Sequence, residues 1–335
     1  MIKAAFITDL HFGVRGNSDV FLKNIQDYLY NEFIPYLKEN SIEHVFIGGD
    51  IFDSRQSINI KTFNFVLDFF CKMRESKLKI VVIAGNHDLY LSTSNDLTSL
   101  AFLSNLPDVT FIKDTMKPVV VGDTSILFVP WISNTETFTM NLSIPEMYKD
   151  CNICIGHFDL AGFNMNKTSK MNDEGMPAAI LTNLFKIVLS GHFHTRSDKT
   201  AANGSRIVYV GSPYQLTRAD SGEDRGFAVL SLDGNKLVDL EFVNNKNCIR
   251  FESVIFPQVF VESQIRGNIV DIMVNYAEKF DELKLEEYKT KIESFCPAFK
   301  PEIRLVGSNE INIKTELSGF AAKTTADLIN DFSPY

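Results

Sequence analysis

The chain has 335 residues, 45% hydrophobic and 22% charged, with a formal net charge of −9 and a pI of about 5.3. That length is a prior for two domains, and the apolar content is ample for a packed core, which excludes disorder, collagen and a disulfide-stapled mini-fold. The acidic balance argues against holding nucleic acid by bulk charge alone.

No apolar run approaches the ~20 residues of a membrane span. The opening MIKAAFITDLHF meets an Asp and a His before a signal-like region is complete, so a cytoplasmic chain that is not secreted is expected. Five cysteines, an odd count, fit free thiols in a reducing compartment.

In chain order, the first half alternates short β-branched runs with helical patterns, the mark of an α/β fold. The expected strands are Ala4–Thr8, His44–Gly48, Lys79–Ala84, Ser125–Val129, Asn152–Ile155, Ile187–Leu189, Ile207–Val210 and Phe227–Leu232. Each is short and apolar, as in a sheet covered on both faces. After Asn17 and Ser18 a capped helix is expected, with Val20, Phe21, Ile25, Tyr28, Leu29 and Phe33 as its apolar stripe and Pro35 disturbing its end. Near residue 250 the pattern changes. Ile265 to Ile292 is charged and helical in period, with strand-like Val259–Val261 and Ile303–Val306 on either side, which reads as a small α+β module. The expected divisions are 1–245, 250–308 and a tail, 309–335. In that tail Thr325 is placed to cap a short helix bearing Leu328, Ile329 and Phe332.

Five of the six histidines fall at or beside the ends of expected strands, next to Gly, Asp or Asn. The clusters are Asp9-Leu-His11, Gly48-Gly49-Asp50 with Asp53, Gly85-Asn86-His87-Asp88, Gly156-His157 and Gly191-His192-Phe193-His194. In parallel α/β sheets ligands bind at the carboxyl ends of strands, so these loops should converge on one crevice. Carboxylate oxygen mixed with imidazole nitrogen suits Mn²⁺, Zn²⁺ or Fe²⁺, whereas an all-oxygen set would suit Mg²⁺ or Ca²⁺. Two ions bridged by one carboxylate can clamp a phosphate and make hydroxide near neutral pH. His44 precedes a strand and reads as an edge residue. Cys151 and Cys154, a C-x-x-C pair beside a strand, read as buried thiols.

DLH, GDIFD, GNHD, GH and GHFH in this order resemble the calcineurin-like metallophosphoesterases over roughly residues 1–240. The resemblance implies a sandwich of sheets flanked by helices, with a small α+β capping domain and a C-terminal tail. It implies that Asp9, His11, Asp50 and His194 hold one metal, and that Asp50, Asn86, His157 and His192 hold the other. His87 would be the catalytic histidine and Asp53 the carboxylate that orients it; Asp88 is a less direct candidate for the same job, and reads more readily as a turn carboxylate. Two divalent ions are implied, manganese favoured and magnesium an alternative.

Gly211-Ser212-Pro213-Tyr214-Gln215-Leu216 resembles the GSP-x-x-L signature of SbcD/Mre-eleven DNA nucleases, and the length and spacing look most like their T-even phage members. That family implies exonuclease and endonuclease action on double-stranded ends and single strands by attack of a metal-bridged hydroxide, in DNA repair, recombination and replication. It also implies a capping, DNA-recognition role for 250–308 and docking of 309–335 on an SMC-like ABC-ATPase of the SbcC type. Some archaeal and eukaryotic members carry His where this chain has Asp53, so details of strand handling do not carry over. A phosphatase, a cyclic-nucleotide phosphodiesterase and a non-catalytic metal-bearing scaffold are the alternatives. The chain itself has no Gly-x-x-x-x-Gly-Lys-Ser/Thr loop for ATP.

On the helix after Arg55, Phe63, Val66, Leu67 and Phe70 form one apolar face, leaving Phe65 and Phe69 opposite. Exposed Phe pairs mark interfaces, and in the resembled family helices of this region form a homodimer, so Phe65 and Phe69 with the segment Leu97–Leu106 are expected at such a contact. Arg15, Arg55, Lys61, Lys167, Lys170, Arg196, Lys199, Arg218 and Arg225 lie in or near the site loops. With an acidic total, DNA affinity should rest on local basic strips, the metals and a partner. Weak binding of DNA by the chain alone is therefore expected in a filter or anisotropy titration. A tight affinity independent of any other protein would count against this.

Overall fold

The apolar runs of the first half build two six-stranded sheets in a computed structural model that describes residues 1–307 except 92, 133, 167–170 and 278. All eight expected strands form, with ends within two residues of expectation. In spatial order the first sheet is Lys236–Asn244, Gly226–Asp233, Ile2–Ile7, His44–Ile47, Lys79–Ile83 and Val109–Ile112. The second is Ser197–Thr200, Arg206–Tyr209, Ile187–Gly191, Ile153–His157, Thr124–Val129 and Lys117–Val121. Ile2–Ile7 through Val109–Ile112 run parallel, as do the four central strands of the second sheet.

The four strands not anticipated, Lys236–Asn244, Val109–Ile112, Ser197–Thr200 and Lys117–Val121, are the four sheet edges. Charged and polar side chains dilute the apolar signal of Lys236–Asn244 and Ser197–Thr200, and Pro118 argues against a strand at Lys117–Val121, whereas Val109–Ile112 is mostly apolar but only four residues long. Between the sheets lies one core, with Phe6, Phe46 and Ile83 from the first meeting Phe128, Ile155, Leu189 and Val208 from the second. Helical segments cover the outer faces. Phe138, Leu181 and Phe185 pack on the second sheet, and Phe33 meets Phe227 of the first. The helix Asp19–Tyr28 buries Phe21, Leu22 and Ile25, while Val20 of the expected stripe is exposed. A wide turn over Leu29–Phe33 precedes Pro35, after which the helix continues to Glu39. Pro lacks an N–H for the regular ladder, and the wider turn absorbs that loss.

The chain forms two compact units: residues 1–214 with 224–247, and residues 215–223 with the chain from Cys248 onward. In the second unit a parallel sheet runs Phe251–Ile255, Ile269–Asn275, Glu302–Val306, with the helix Glu282–Phe295 packed through Leu285 and Ile292. Two expectations need correction here. Ile269–Asn275 is the central strand rather than part of a long helix, and Val259–Val261 is not a strand. Asp271 breaks the apolar run, yet it is buried because Arg218 and Arg304 hold its carboxylate at 3.0 and 2.8 Å. The tail 309–335 lies outside the described residues.

Phe65 and Phe69 are also corrected: both are buried. The inward stripe of Ile60–Glu75 is Thr62, Phe65, Val66, Phe69, Phe70 and Met73, an i, i+3, i+4, i+7 series. Phe65 packs edge-on against Phe12 at 5.2 Å between ring centroids and Phe69 against the same ring at 6.1 Å, so this chain itself covers the face assigned to a partner. Nor is Leu97–Leu106 one helix, since Ser94–Thr98 is a strand and Ala101–Asn105 a short tight helix. Phe69→Ala should cost about 3–5 kcal/mol of stability, read as a lower urea midpoint; an unchanged midpoint would contradict the burial.

Candidate metal centre

The carboxyl ends of the central strands in both sheets deliver their loops to one place. Backbone bonds lock these loops together: Asp9 N–H donates to the Gly49 carbonyl (3.1 Å), His11 N–H to Asp50 (2.9 Å) and Phe12 N–H to Ile51 (2.8 Å). The sheets are joined at the same level, where Trp131 N–H reaches the Ala84 carbonyl at 2.8 Å and His192 N–H reaches Asp9 Oδ1 at 3.0 Å. Such approach needs bare backbone. A Cβ on Gly85 would stand 2.3 Å from Asp50 Oδ1, and one on Gly49 (φ +93°) 2.6 Å from the Gly85 nitrogen. Asp9, His11, Asp50 and His192 themselves lie at positive φ, a strain of about 1–3 kcal/mol each that the surrounding bonds must hold.

Of the expected ligand residues, Asp9, His11, Asp50, His157, His192 and His194 fall in overlapping groups whose donor atoms lie within 4.8 Å of one another: Asp9/His11/His194, Asp50/His157/His192 and His11/Asp50/His87. Asn86 Oδ1 stands 3.0 Å from both His157 Nε2 and His192 Nδ1. Asp50 Oδ2 lies between the two halves, 3.6 Å from His11 Nε2 and 3.4 Å from His157 Nε2. The His11 and His194 Nε2 atoms point at each other across 3.1 Å. His157 Nδ1–H donates to the Gly48 carbonyl (2.7 Å), which fixes its tautomer and leaves the Nε2 lone pair facing inward. Imidazole lone pairs and buried carboxylates aimed at common points are a donor set for divalent cations, so the residues fit such ions.

Protons compete with a cation for several of these donors. Burial pushes Asp9 up to about 6 despite His157, and burial with His157 pushes His192 down to about 3. Burial opposes protonation of His157, but Asp50 raises that ring to about 9. Burial, with His11 and Arg55 nearby, holds His87 below its ordinary value, so this imidazole is neutral at pH 7. Its Nδ1–H donates to the main-chain carbonyl of Asp53 at 2.7 Å, and its N–H donates to Asp50 Oδ1 at 2.7 Å. The orienting contact therefore comes from the Asp53 backbone, while the Asp53 carboxylate lies 3.4 Å from His11 Nδ1.

Three further residues shape the site. Asp88, expected as a turn carboxylate, is fully buried and accepts N–H bonds from Gly85, Asp50 and Ile51, each at 2.8 Å, tying the loops after two neighbouring strands together. Arg225, one of the cations expected in or near the site loops, is fully buried; its guanidinium donates to the His194 carbonyl and to Ser212 Oγ. Ser212 N–H reaches the same carbonyl, so the Gly-Ser-Pro segment secures the His194 loop. Other expected cations are also engaged: Arg196 stacks on Phe242, Lys61 pairs with Asp19 and Arg218 with Asp271. Trp131, not singled out beforehand, tilts over His192 with ring centroids 5.1 Å apart. It follows the strand Thr124–Val129, so the strand-end rule applied there would have found it. Cys151 and Cys154 are buried free thiols.

Residues 2–196 match the family profile described as calcineurin-like phosphoesterase. The chain is 29% identical over 302 residues to exonuclease subunit 1 of phage T4, covering 88% of this chain and 84% of that protein. It is 25% identical over 361 residues to the SbcD component of nuclease SbcCD from Staphylococcus epidermidis, covering 88% and 92%. To the DNA double-strand break repair protein Mre11 of Nanoarchaeum equitans it is 26% identical over 255 residues, covering 67% and 64%.

Asp88→Asn would turn an amide NH₂ toward backbone donors. It should cost about 3 kcal/mol or more and weaken Mn²⁺ binding in calorimetry. Wild-type stability and affinity in this variant would refute the tying role.

Proposed function

Because the chain belongs to the calcineurin-like phosphoesterase family, we propose that it is a two-metal-dependent DNA nuclease, cutting both ends and interior positions. It would serve as the nuclease component of an SbcCD-like complex in repair and recombination. The observation that carries this reading is the gathering of Asp9, His11, Asp50, Asn86, His157, His192 and His194 at one point, in a chain similar along most of its length to two nuclease components.

In this reading Asp9, His11, Asp50 and His194 hold one divalent cation, and Asp50, Asn86, His157 and His192 hold the other, Mn²⁺ favoured. Held there, two such cations would supply charge for the phosphate oxygens and a water of lowered pKa for in-line attack. The chain's own part is to hold the donors rigidly and to handle a proton. With Nδ1–H on the Asp53 carbonyl, His87 directs Nε2 away from that bond. A phosphate in the site raises the proton affinity of this neutral ring, so Nε2 can take up a proton and give it to the departing oxygen. Residues 250–308 would help recognise DNA and 309–335 would dock an SMC-like ATPase, which supplies the ATP chemistry.

The decisive assay is digestion of linear duplex and single-stranded DNA with Mn²⁺ or Mg²⁺, with and without a co-purified SMC-like ATPase. Metal-dependent cleavage that EDTA abolishes is expected. Hydrolysis of small phosphomonoesters with none of DNA would instead favour a phosphatase. His87→Gln should retain Mn²⁺ by calorimetry while losing about 10²–10⁴-fold in cleavage rate; full activity in this variant would remove His87 from the mechanism.

A further inference from the structure

Beside the cation donors lies a cleft of about 190 Å³ whose wall includes the metal-facing His157. Its apolar sides are Trp131, Phe138, Phe158 and Met176, with the carboxylates of Asp159 and Glu174 on its lining. The cleft is preformed. Asp159 accepts from Asn172 Nδ2 (2.6 Å), Met176 N–H donates to the Asp159 carbonyl (2.8 Å), and Phe158 N–H donates to Ser190 Oγ (3.0 Å). The main chain at Trp131 is fixed by its backbone N–H on the Ala84 carbonyl (2.8 Å), and its indole ring lies against His192 at 5.1 Å between centroids.

That lining selects a chemistry. Beyond the shared His157 it holds no cationic side chain among the described residues, and it carries two acids, so it rejects phosphate. Aromatic walls favour a flat ring system, and carboxylates accept hydrogen bonds from amino groups on its edge. Its volume suits one such ring system and not a stacked pair. We propose that the cleft is a nucleobase subsite. It takes one unpaired base bearing an exocyclic amine (adenine, cytosine or guanine), attached to the nucleotide whose phosphate meets the cations. The inference rests on the nuclease reading and deepens it: the nucleotide at the cut must leave the duplex stack, so frayed ends and single strands are bound ahead of closed duplex.

Trp131 is the one tryptophan of the chain, so its fluorescence reports this cleft in the intact protein. With Mg²⁺ present, dAMP and dCMP should quench it saturably, dTMP about tenfold more weakly, and 2-deoxyribose 5-phosphate not at all. Glu174→Gln should narrow the gap between dCMP and dTMP. Trp131→Ala should lower kcat/KM for a single-stranded oligonucleotide about tenfold more than for the base-free diester bis(p-nitrophenyl) phosphate. Absent quenching, or equal quenching by the sugar phosphate, in a preparation that cuts DNA would overturn the subsite and leave the nuclease reading standing. Base-selective quenching in a preparation that never cuts DNA would support the subsite and overturn the nuclease reading.

Discussion

The centre depends on one buried carboxylate that grips the main chain of a candidate donor, Asp50, and of its neighbours. Asp88 gathers main-chain N–H groups from Gly85, Asp50 and Ile51, pinning the loop after Lys79–Ile83 to the loop after His44–Ile47. Burial and the neighbouring Asp50 raise it to about 7, against the pull of those N–H groups. Asp50 at positive φ, Asn86 and His87 all hang on these two loops. Bonds from Asp9 and His11 to Gly49 and Asp50 then bring in the loop after Ile2–Ile7, and His157 on Gly48 brings in the second sheet. The backbone is assembled first, and side-chain donors inherit their positions from it.

If the chain acts on DNA as proposed, its acidic balance requires positive charge to be supplied locally. Among the described cations several are spent inside the protein: Arg225 on a carbonyl, Arg218 and Arg304 on Asp271, Arg196 on an aromatic face. In the proposed reading the carboxylates of the centre would attract DNA only by way of the ions they would hold, so the donor cluster would serve attraction as well as chemistry.

Much of this could be read from the chain, and the failures share a cause. Central strands were legible because both faces are covered and the apolar run is continuous. Lys236–Asn244, Ser197–Thr200 and the Asp271-bearing strand were hidden by the polar residues within them. Candidate donors such as Asp9, His157 and His194 were legible as polar residues at or just after strand ends. The roles of Asp53, Asp88 and Arg225 were not, because each acts through or upon the main chain, and a side-chain motif records no backbone contact. Phe65 and Phe69 were misplaced since Phe12, the ring that covers them, arrives from a loop some fifty residues earlier.

Asp9 and His194 share a donor group although almost two hundred positions separate them. On the ribosome, the first carboxylate is made long before the imidazole that completes its set, and neither half-sheet alone can close the cage. Over half of translation must finish before a full set of donors exists. A product terminated before His194 therefore lacks part of the donor set, and in the proposed reading it would not cleave DNA.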